Sequence, residues 1–203
     1  MGTWRLLQLR KGHRFSTDDL VTAWMAWRSR PNARRLLDLG SGLGSVGLTT
    51  LFKLTHGRPR ADWPALTTVE AQALSVGLAR RSIRINGLDD VVTALHGDLR
   101  TAPLPEGATF DLITGSPPYF PIGTALLSPH PQKSGARMEL RGSVIDYAAA
   151  AARWLAPTGR FVYVMLANDP RTEAAAPQAG LAVERSLSVV FGAGRAPQIV
   201  VLV

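Results

Sequence analysis

Short apolar runs alternate with helix-like segments along most of the chain, and this alternation restricts the fold more than any other feature of the sequence. A short apolar run bounded by turn residues is typical of a buried strand, and repeated βα units predict a mostly parallel, doubly wound sheet with helices on both faces. The predicted strands are Arg35–Leu39, Leu66–Glu70, Val91–His96, Phe110–Thr114 and Phe161–Leu166, and the predicted helices are Asp18–Arg28, Ser45–Leu54, Ala71–Ile85 and Ser143–Leu155.

The pattern changes near the end of the sequence. Leu181–Val190 and Gln198–Val203 are apolar stretches with no helix between them, which predicts an antiparallel hairpin that completes a seven-stranded sheet. We expect one domain over residues 1–203, with an N-terminal segment and helix in residues 1–30 and a Rossmann-like α/β core in residues 31–203. His56–Ala65 and Pro117–Arg141 are irregular, and the second stretch is long enough to indicate a functional loop.

Composition excludes several classes of protein. The chain has 203 residues, 46% of them hydrophobic, and no cysteine, which excludes a disulfide scaffold, a zinc–thiolate site and a cysteine nucleophile. No apolar run approaches the roughly 18 residues of a membrane helix, so we expect a cytoplasmic protein without a membrane contact. The net charge of +8 favours a polyanionic partner. All basic residues except Lys11, Lys53 and Lys133 are arginines, and coding bias explains such an excess equally well.

Three glycines follow the first predicted strand directly, at Gly40, Gly42 and Gly44. Glycine permits a tight strand-to-helix turn and the close approach of a ligand to backbone N–H groups. Asp38 lies inside the strand, where a buried carboxylate needs either a cationic ligand or backbone donors. The turn alone predicts a binding site only weakly, but its position between a strand and a helix strengthens the prediction.

Two further acids end the next two strands. Glu70 follows the second strand, where a carboxylate can accept both hydroxyls of a ribose, and Asp98 follows the third, where it can accept the amine of an adenine ring. An acid at a strand end is more often a solvated turn residue. The glycine turn, Glu70 and Asp98 nevertheless share one edge of the sheet, which favours an adenosine cofactor, either NAD or S-adenosylmethionine.

The fourth predicted strand is followed by Gly115-Ser-Pro-Pro-Tyr-Phe120, and the chemistry of this segment distinguishes between the two possible cofactors. Two prolines fix the backbone and leave carbonyl acceptors without competing N–H donors. Ser116 adds a side-chain acceptor, and Tyr119 offers a flat ring for stacking. Such a site suits a planar amine as acceptor.

These residues resemble the class I S-adenosylmethionine-dependent methyltransferases that modify amines, whose motif is (Asn/Asp/Ser)-Pro-Pro-(Tyr/Phe). The chain is most similar to their small-domain group and, within it, to bacterial tRNA(Val) adenine-N6 methyltransferases. Lys11–Asp18 resembles the Gly-x-Arg-Phe-Ser-x-Asp segment of that family, and Gly135–Glu139 resembles its Ala-Arg-His-Glu segment. Ser116 stands where those enzymes usually have Asn, and Met138 replaces the usual His; serine is common among cytosine-N4 methyltransferases.

The resemblance implies a Rossmann-like class I methyltransferase fold, S-adenosylmethionine as cofactor, and residues 1–30 as a segment that covers it. It also implies methylation of an exocyclic amine, foremost adenine N6 in tRNA or another RNA. The alternatives are a protein glutamine amide, a small-molecule amine, or a non-catalytic cofactor- or RNA-binding domain. No metal is expected, and the sequence specifies no oligomeric state. The implied cofactor contacts are Phe15, Thr17, Asp38, Gly40, Gly42, Glu70, Asp98 and Leu99, and the implied catalytic residues are Ser116, Pro117 and Tyr119. We expect Arg137 and Arg141 to bind the substrate.

Overall fold

One seven-stranded sheet organises the chain in a computed structural model that describes residues 2–124, 126 and 128–203. The strands are β1 Arg35–Leu39, β2 Ala65–Glu70, β3 Val92–His96, β4 Phe110–Gly115, β5 Leu155–Leu166, β6 Ser186–Val189 and β7 Ile199–Leu202. The helices are α1 Thr17–Ser29, α2 Ser45–Thr55, α3 Ala73–Ile85, α4 Pro131–Arg137, α5 Val144–Trp154 and α6 Arg171–Gln178.

The strand order is β3-β2-β1-β4-β5-β7-β6. Strands β1 to β5 are parallel to one another, and β7 is antiparallel to both β5 and β6. The order reverses between β1 and β4, so the loops that follow these two strands diverge and leave a crevice at the carboxyl edge of the sheet. The predicted Rossmann-like sheet with a C-terminal antiparallel hairpin is confirmed.

Both faces of the sheet are covered. Leu37 and Leu39 of β1 point into a cluster with α5 and α6, whereas Leu36 points into a second cluster with α1, α2 and α3. Because central strands such as β1 are buried on both sides, their sequences are largely apolar, whereas β6 at the edge of the sheet alternates between exposed and half-buried residues. Removing a side chain such as Leu37, which is fully buried, costs about 2–5 kcal/mol of stability. The prediction of helices on both faces is confirmed.

Strand β5 begins at Leu155, directly after α5, and not at Phe161 as predicted. The pairing with β4 shifts between Phe110, which faces Leu155, and Leu112, which faces Arg160. The residues around Pro157 therefore lie in the irregular part of the ladder, where a residue without an N–H group is tolerated.

Other predicted boundaries were wrong. Within the stretch Leu181–Val190, only the four residues of β6 form a strand. At its start, the N–H of Leu181 donates to the carbonyl of Ala176 and so caps the end of α6. Helix α6 was not predicted, and α4 lies within the stretch expected to be irregular. Within the described residues, none of the helices is both long and apolar enough to cross a bilayer.

Candidate active site

A cavity of about 490 Å³ lies at the carboxyl edge of the sheet, between the loops that follow β1 and β4. Its volume is within the range of small-molecule sites, about 300–1,000 Å³. Most of the predicted site residues line it: Asp38, Gly40, Gly42, Glu70, Leu99, Ser116, Pro117, Tyr119, Arg137 and Arg141. The strand ends thus bring together residues that are far apart in the sequence.

The glycine turn after β1 forms the floor of the cavity. Gly40 and Gly42 have φ angles of 57° and 55°, in the left-handed region that favours glycine. A Cβ on Gly40 would lie 1.7 Å from Oη of Tyr147, whereas a Cβ on Gly42 would meet no atom within 4 Å. Oγ of Ser41 is buried without a hydrogen-bond partner among the described residues. The turn therefore leaves open space and an unsatisfied polar atom on its cavity side.

Glu70 connects this turn to the end of β2. Its Oε2 accepts a hydrogen bond from the N–H of Gly42 at 2.8 Å, and its Oε1 accepts one from the N–H of Gln72 at 2.7 Å. Burial raises the pKa of Glu70, and the two backbone donors oppose that rise. Each carboxylate oxygen has two acceptor positions, so both can still accept a hydroxyl from a ligand.

Asp38 is fully buried beside the glycine turn. Its Oδ1 accepts from Oγ1 of Thr114 in β4 at 2.7 Å, and its Oδ2 accepts from the N–H of Gly47 in α2 at 3.0 Å. The sequence analysis expected either a cationic ligand or backbone donors as partners of this carboxylate. The structure shows a backbone donor, Gly47, together with the hydroxyl group of Thr114. Burial raises the pKa of Asp38 to about 7. The side chain holds β1, β4 and α2 together at the base of the site.

A third buried carboxyl group, that of Asp19, was missed by the sequence analysis. Asp19 lies in the first turn of α1 and lines the cavity, and its Oδ2 accepts from the N–H of Ser16 at 3.1 Å. Burial, and then the charge of Asp18, raises its pKa to about 6. The spacing from Ser16 to Asp19 is that of a helix capping box and could have indicated the contact. Together with Asp38 and Glu70, it gives the cavity an acidic wall.

The Ser116–Tyr119 loop also lines the cavity. Ser116 is half-buried, Pro117 is buried, and Oη of Tyr119 donates to Oδ2 of Asp18 at 2.7 Å. Burial, and then the charge of Asp18, raises the pKa of Tyr119. Phe120 continues the loop, and its N–H donates to the carbonyl of Arg137 at 3.1 Å. The loop is thus held by α1 on one side and by the end of α4 on the other.

The two predicted substrate-binding arginines face different surroundings. The guanidinium group of Arg137 lies 5.4 Å from the ring centre of Phe120, and its side chain is exposed. The charge of Arg141, which is also exposed, acts to lower the pKa of both Glu70 and Asp98. Both arginines line the cavity, and Arg141 is the one whose charge acts on the two strand-end acids.

Three predicted cofactor contacts lie outside the cavity lining. Oδ1 of Asp98 accepts from the N–H and Nε of Arg100, each at 2.9 Å, so its carboxylate is paired within its own turn. Phe15 and Thr17 are exposed, and their neighbours in the N-terminal segment line the cavity in their place. The roles predicted for these three residues stay predictions.

Tyr147 of α5 is a second residue that the sequence analysis missed. It is buried, it lines the cavity, and burial raises its pKa. Its hydroxyl group packs against Gly40. In the sequence it directly precedes the alanine run of α5, a pattern that predicts a core position and not a site. For metal ions, the described part of the chain contains no group of three or more His, Asp or Glu side chains arranged to hold one.

Comparison with known proteins places this fold and site in a family. The methyltransferase small domain family matches residues 17–175. A tRNA1(Val) (adenine(37)-N6)-methyltransferase of Tolumonas auensis is 28% identical over 196 residues, which cover 96% of this chain and 77% of that protein. A release factor glutamine methyltransferase of Xylella fastidiosa is 30% identical over 133 residues, 66% of this chain and 43% of that protein. TrmN from Thermus thermophilus has the same fold, with a TM-score of 0.58, 24% identity, and coverage of 90% of this chain and 48% of that one.

The cavity fits the cofactor of this family. S-adenosylmethionine carries an ammonium group, a sulfonium centre and two ribose hydroxyls, and the acidic wall of Asp19, Asp38 and Glu70 is complementary to all of them. The unsatisfied hydroxyl of Ser41 offers one more polar contact. The chain therefore belongs to the methyltransferase small domain family and is an S-adenosylmethionine-dependent methyltransferase.

Proposed function

We propose that this enzyme methylates an exocyclic amine of a nucleobase, foremost adenine N6 in tRNA. The observation that carries the proposal is that Ser116, Pro117 and Tyr119 line the same cavity as the acidic wall. Acceptors next to a flat ring suit a planar amine better than a hydroxyl or a carboxylate substrate.

The protein contributes orientation and electrostatics to this reaction. S-adenosylmethionine, when bound, supplies a methyl group already activated by its sulfonium centre. Oγ of Ser116 and the carbonyl of Pro117 would each accept one hydrogen of the amine and so localise its lone pair toward the incoming carbon. These bonds strengthen as positive charge develops on the nitrogen, which is the condition for lowering the barrier. Tyr119 would stack on the base, a contact worth about 1–3 kcal/mol.

On the cofactor side, we propose that Glu70 accepts the ribose hydroxyls and that Gly40, Gly42 and Leu99 line the bound ligand. Residues 1–30 would cover the cofactor within a single domain over residues 1–203. This proposal is supported by the lining of the cavity, which includes Gly12, His13 and Arg14 of the N-terminal segment as well as the first turn of α1.

Charge at the mouth of the cavity supports RNA as the substrate. Arg14 of the N-terminal segment and Lys133 and Arg137 of α4 all line the opening, and the whole chain carries a net charge of +8. Cations that surround a cavity for a base are suited to the phosphates on either side of that base. The relative from Tolumonas auensis is named for a tRNA substrate.

A protein glutamine amide is the second candidate, because the relative from Xylella fastidiosa is named for that activity. An amide is also planar and would use the same two acceptors. The two candidates differ in their need for phosphate contacts, since only a nucleic acid would engage the cationic mouth.

The deciding experiment is transfer of a labelled methyl group to separate tRNA, ribosomal RNA, DNA and protein fractions, followed by analysis of the labelled nucleosides or amino acids. We expect N6-methyladenosine from tRNA. Arg14→Gln and Arg137→Gln should each raise the KM for RNA and reduce its salt dependence. Arg195→Gln, in the connection between β6 and β7, is the matched control and should change neither. Label in the protein fraction alone would reject the RNA proposal.

A further inference from the structure

We propose that Asp18 is a positioning residue that sets the orientation of the Tyr119 ring, and thereby the stacking of the acceptor. The inference rests on the proposed function, because Tyr119 is taken to stack on the substrate. It adds a role for the first turn of α1, which otherwise only borders the cofactor side of the cavity.

The contact joins two parts of the chain that approach the cavity from different directions. Oη of Tyr119 lies 2.7 Å from Oδ2 of Asp18, across a sequence separation of 101 residues. The carboxylate can only accept, so the tyrosine donates its proton. Burial and the charge of Asp18 both raise the pKa of Tyr119, which keeps the phenol protonated and the hydrogen bond charge-assisted.

Asp18 is itself fixed by the start of α1. Oγ of Ser16 donates to its other carboxylate oxygen, Oδ1, and its backbone carbonyl accepts from Oγ1 of Thr22 at 2.7 Å. The capping box formed by Ser16 and Asp19 holds the same turn. Because both oxygens of Asp18 have partners, the carboxylate offers one defined position for the Tyr119 hydroxyl.

The rest of the loop does not define this ring. Pro117 and Pro118 fix the backbone before Tyr119, and Phe120 is bonded to the end of α4, but both act on the main chain. The ring packs against both core clusters, and among the described residues its hydroxyl group bonds to Asp18, which restrains rotation about the side-chain bonds at the far end of the ring. If the Tyr119 ring is misplaced, the stacked base is misaligned and methyl transfer becomes slower, because the reaction depends on alignment. RNA affinity should change little, because it depends mainly on phosphate contacts.

The test is a double-mutant cycle with Asp18→Ala, Tyr119→Phe and the combined variant. Each single variant should lower kcat about tenfold, with the KM for RNA and the cofactor affinity changed less than about twofold. The combined variant should be no slower than the slower single variant, because both changes remove the same bond. Asp18→Asn keeps a carbonyl oxygen for the tyrosine and should recover most of the rate, whereas Asp89→Ala, at an exposed acid, is the matched control and should have no effect. Additive losses, or an Asp18→Asn variant as slow as Asp18→Ala, would overturn the proposal.

A measurement without substrate separates this inference from the proposed function. Ultraviolet resonance Raman spectra report whether a tyrosine donates a strong hydrogen bond, and the chain has only three tyrosines. The donor signal should decrease by the same amount in Asp18→Ala and Tyr119→Phe. If the spectra change as expected while no RNA is methylated, the proposed function fails and the contact stands. If RNA is methylated but Asp18→Ala leaves the spectrum unchanged, the positioning role is rejected.

Discussion

Replacing Asp38 with asparagine tests the most buried acid of the site. The side chain accepts from Oγ1 of Thr114 and from the N–H of Gly47. An amide of the same shape can keep both contacts, since its oxygen accepts from Gly47 and its NH₂ group donates to the hydroxyl of Thr114. Asp38→Asn should therefore fold, and it removes the charge with little change in packing.

The magnitude follows from the pKa of Asp38, which burial raises from 3.8 to about 7 in the folded protein. Between these values the native state holds a proton that the unfolded chain has released, so the free energy of unfolding falls as the pH rises from about 4 to about 7. A difference of about 3 pH units corresponds to about 4 kcal/mol at 1.36 kcal/mol per unit. The amide does not titrate, so Asp38→Asn does not lose this stability as the pH rises.

The assay is urea denaturation of wild type and Asp38→Asn at several values between pH 4 and pH 8. Asp19 and Glu70 titrate in both proteins, and their charges raise the pKa of Asp38 less than burial does, so the difference between the two proteins reports mainly on Asp38. Between pH 4 and pH 8 the free energy of unfolding of Asp38→Asn should rise by about 4 kcal/mol relative to that of the wild type. The free energy of unfolding of Asp89→Asn, at an exposed acid, should change with pH as that of the wild type does. Parallel curves for wild type and Asp38→Asn would refute the reasoning, because Asp38 would then bind no more protons in the folded state than in the unfolded one.

Substitutions at three further positions test the acidic wall, the glycine turn and the Ser116–Tyr119 loop. Glu70→Gln places an NH₂ group against a backbone N–H of Gly42 or Gln72, so cofactor affinity should fall about tenfold or more in calorimetry; unchanged affinity would reject the ribose role. Gly40→Ala puts a Cβ against the Tyr147 hydroxyl and should lower the free energy of unfolding, measured in urea, by about 1–3 kcal/mol. Adding Tyr147→Phe should recover part of this stability, and no recovery would contradict the clash. Ser116→Ala should lower kcat by an amount equivalent to about 2–4 kcal/mol of barrier with cofactor affinity unchanged, and Ser116→Asn should also be slower; activity that appears only in Ser116→Asn would show that the wild type is inactive.

The strands and the glycine turn could be predicted because their cause is local. A buried parallel strand needs a continuous apolar run, and a left-handed turn needs glycine, so Arg35–Leu39 and Gly40 are visible in the sequence. The strand-end acid Glu70 follows from the rule that parallel strands carry their sites at one edge.

The remaining features depend on contacts between distant residues. The sequence predicts two cations at Arg137 and Arg141 but not the different groups that they meet. Arg137 lies over the ring of Phe120, whereas Nη1 of Arg141 lies 2.7 Å from the position that a Cβ on Gly135 would take. The hydrogen bond between Asp18 and Tyr119 could not be predicted from the sequence either, because no local pattern specifies a partner 101 residues away.

The pairing of β1 with β4 has a consequence for how such a protein changes its substrate. Leu39, the last residue before the glycine turn, lies beside Gly115, the last residue before the acceptor loop. Neighbouring strands are held about 4.8 Å apart by backbone hydrogen bonds, so the spacing between the methyl donor's half and the acceptor's half is independent of the side chains in either loop. If the Ser116–Tyr119 loop receives the acceptor as proposed, residues 117–141 could diverge or lengthen while the donor half stays intact, and substrate choice would be a separable module of this fold.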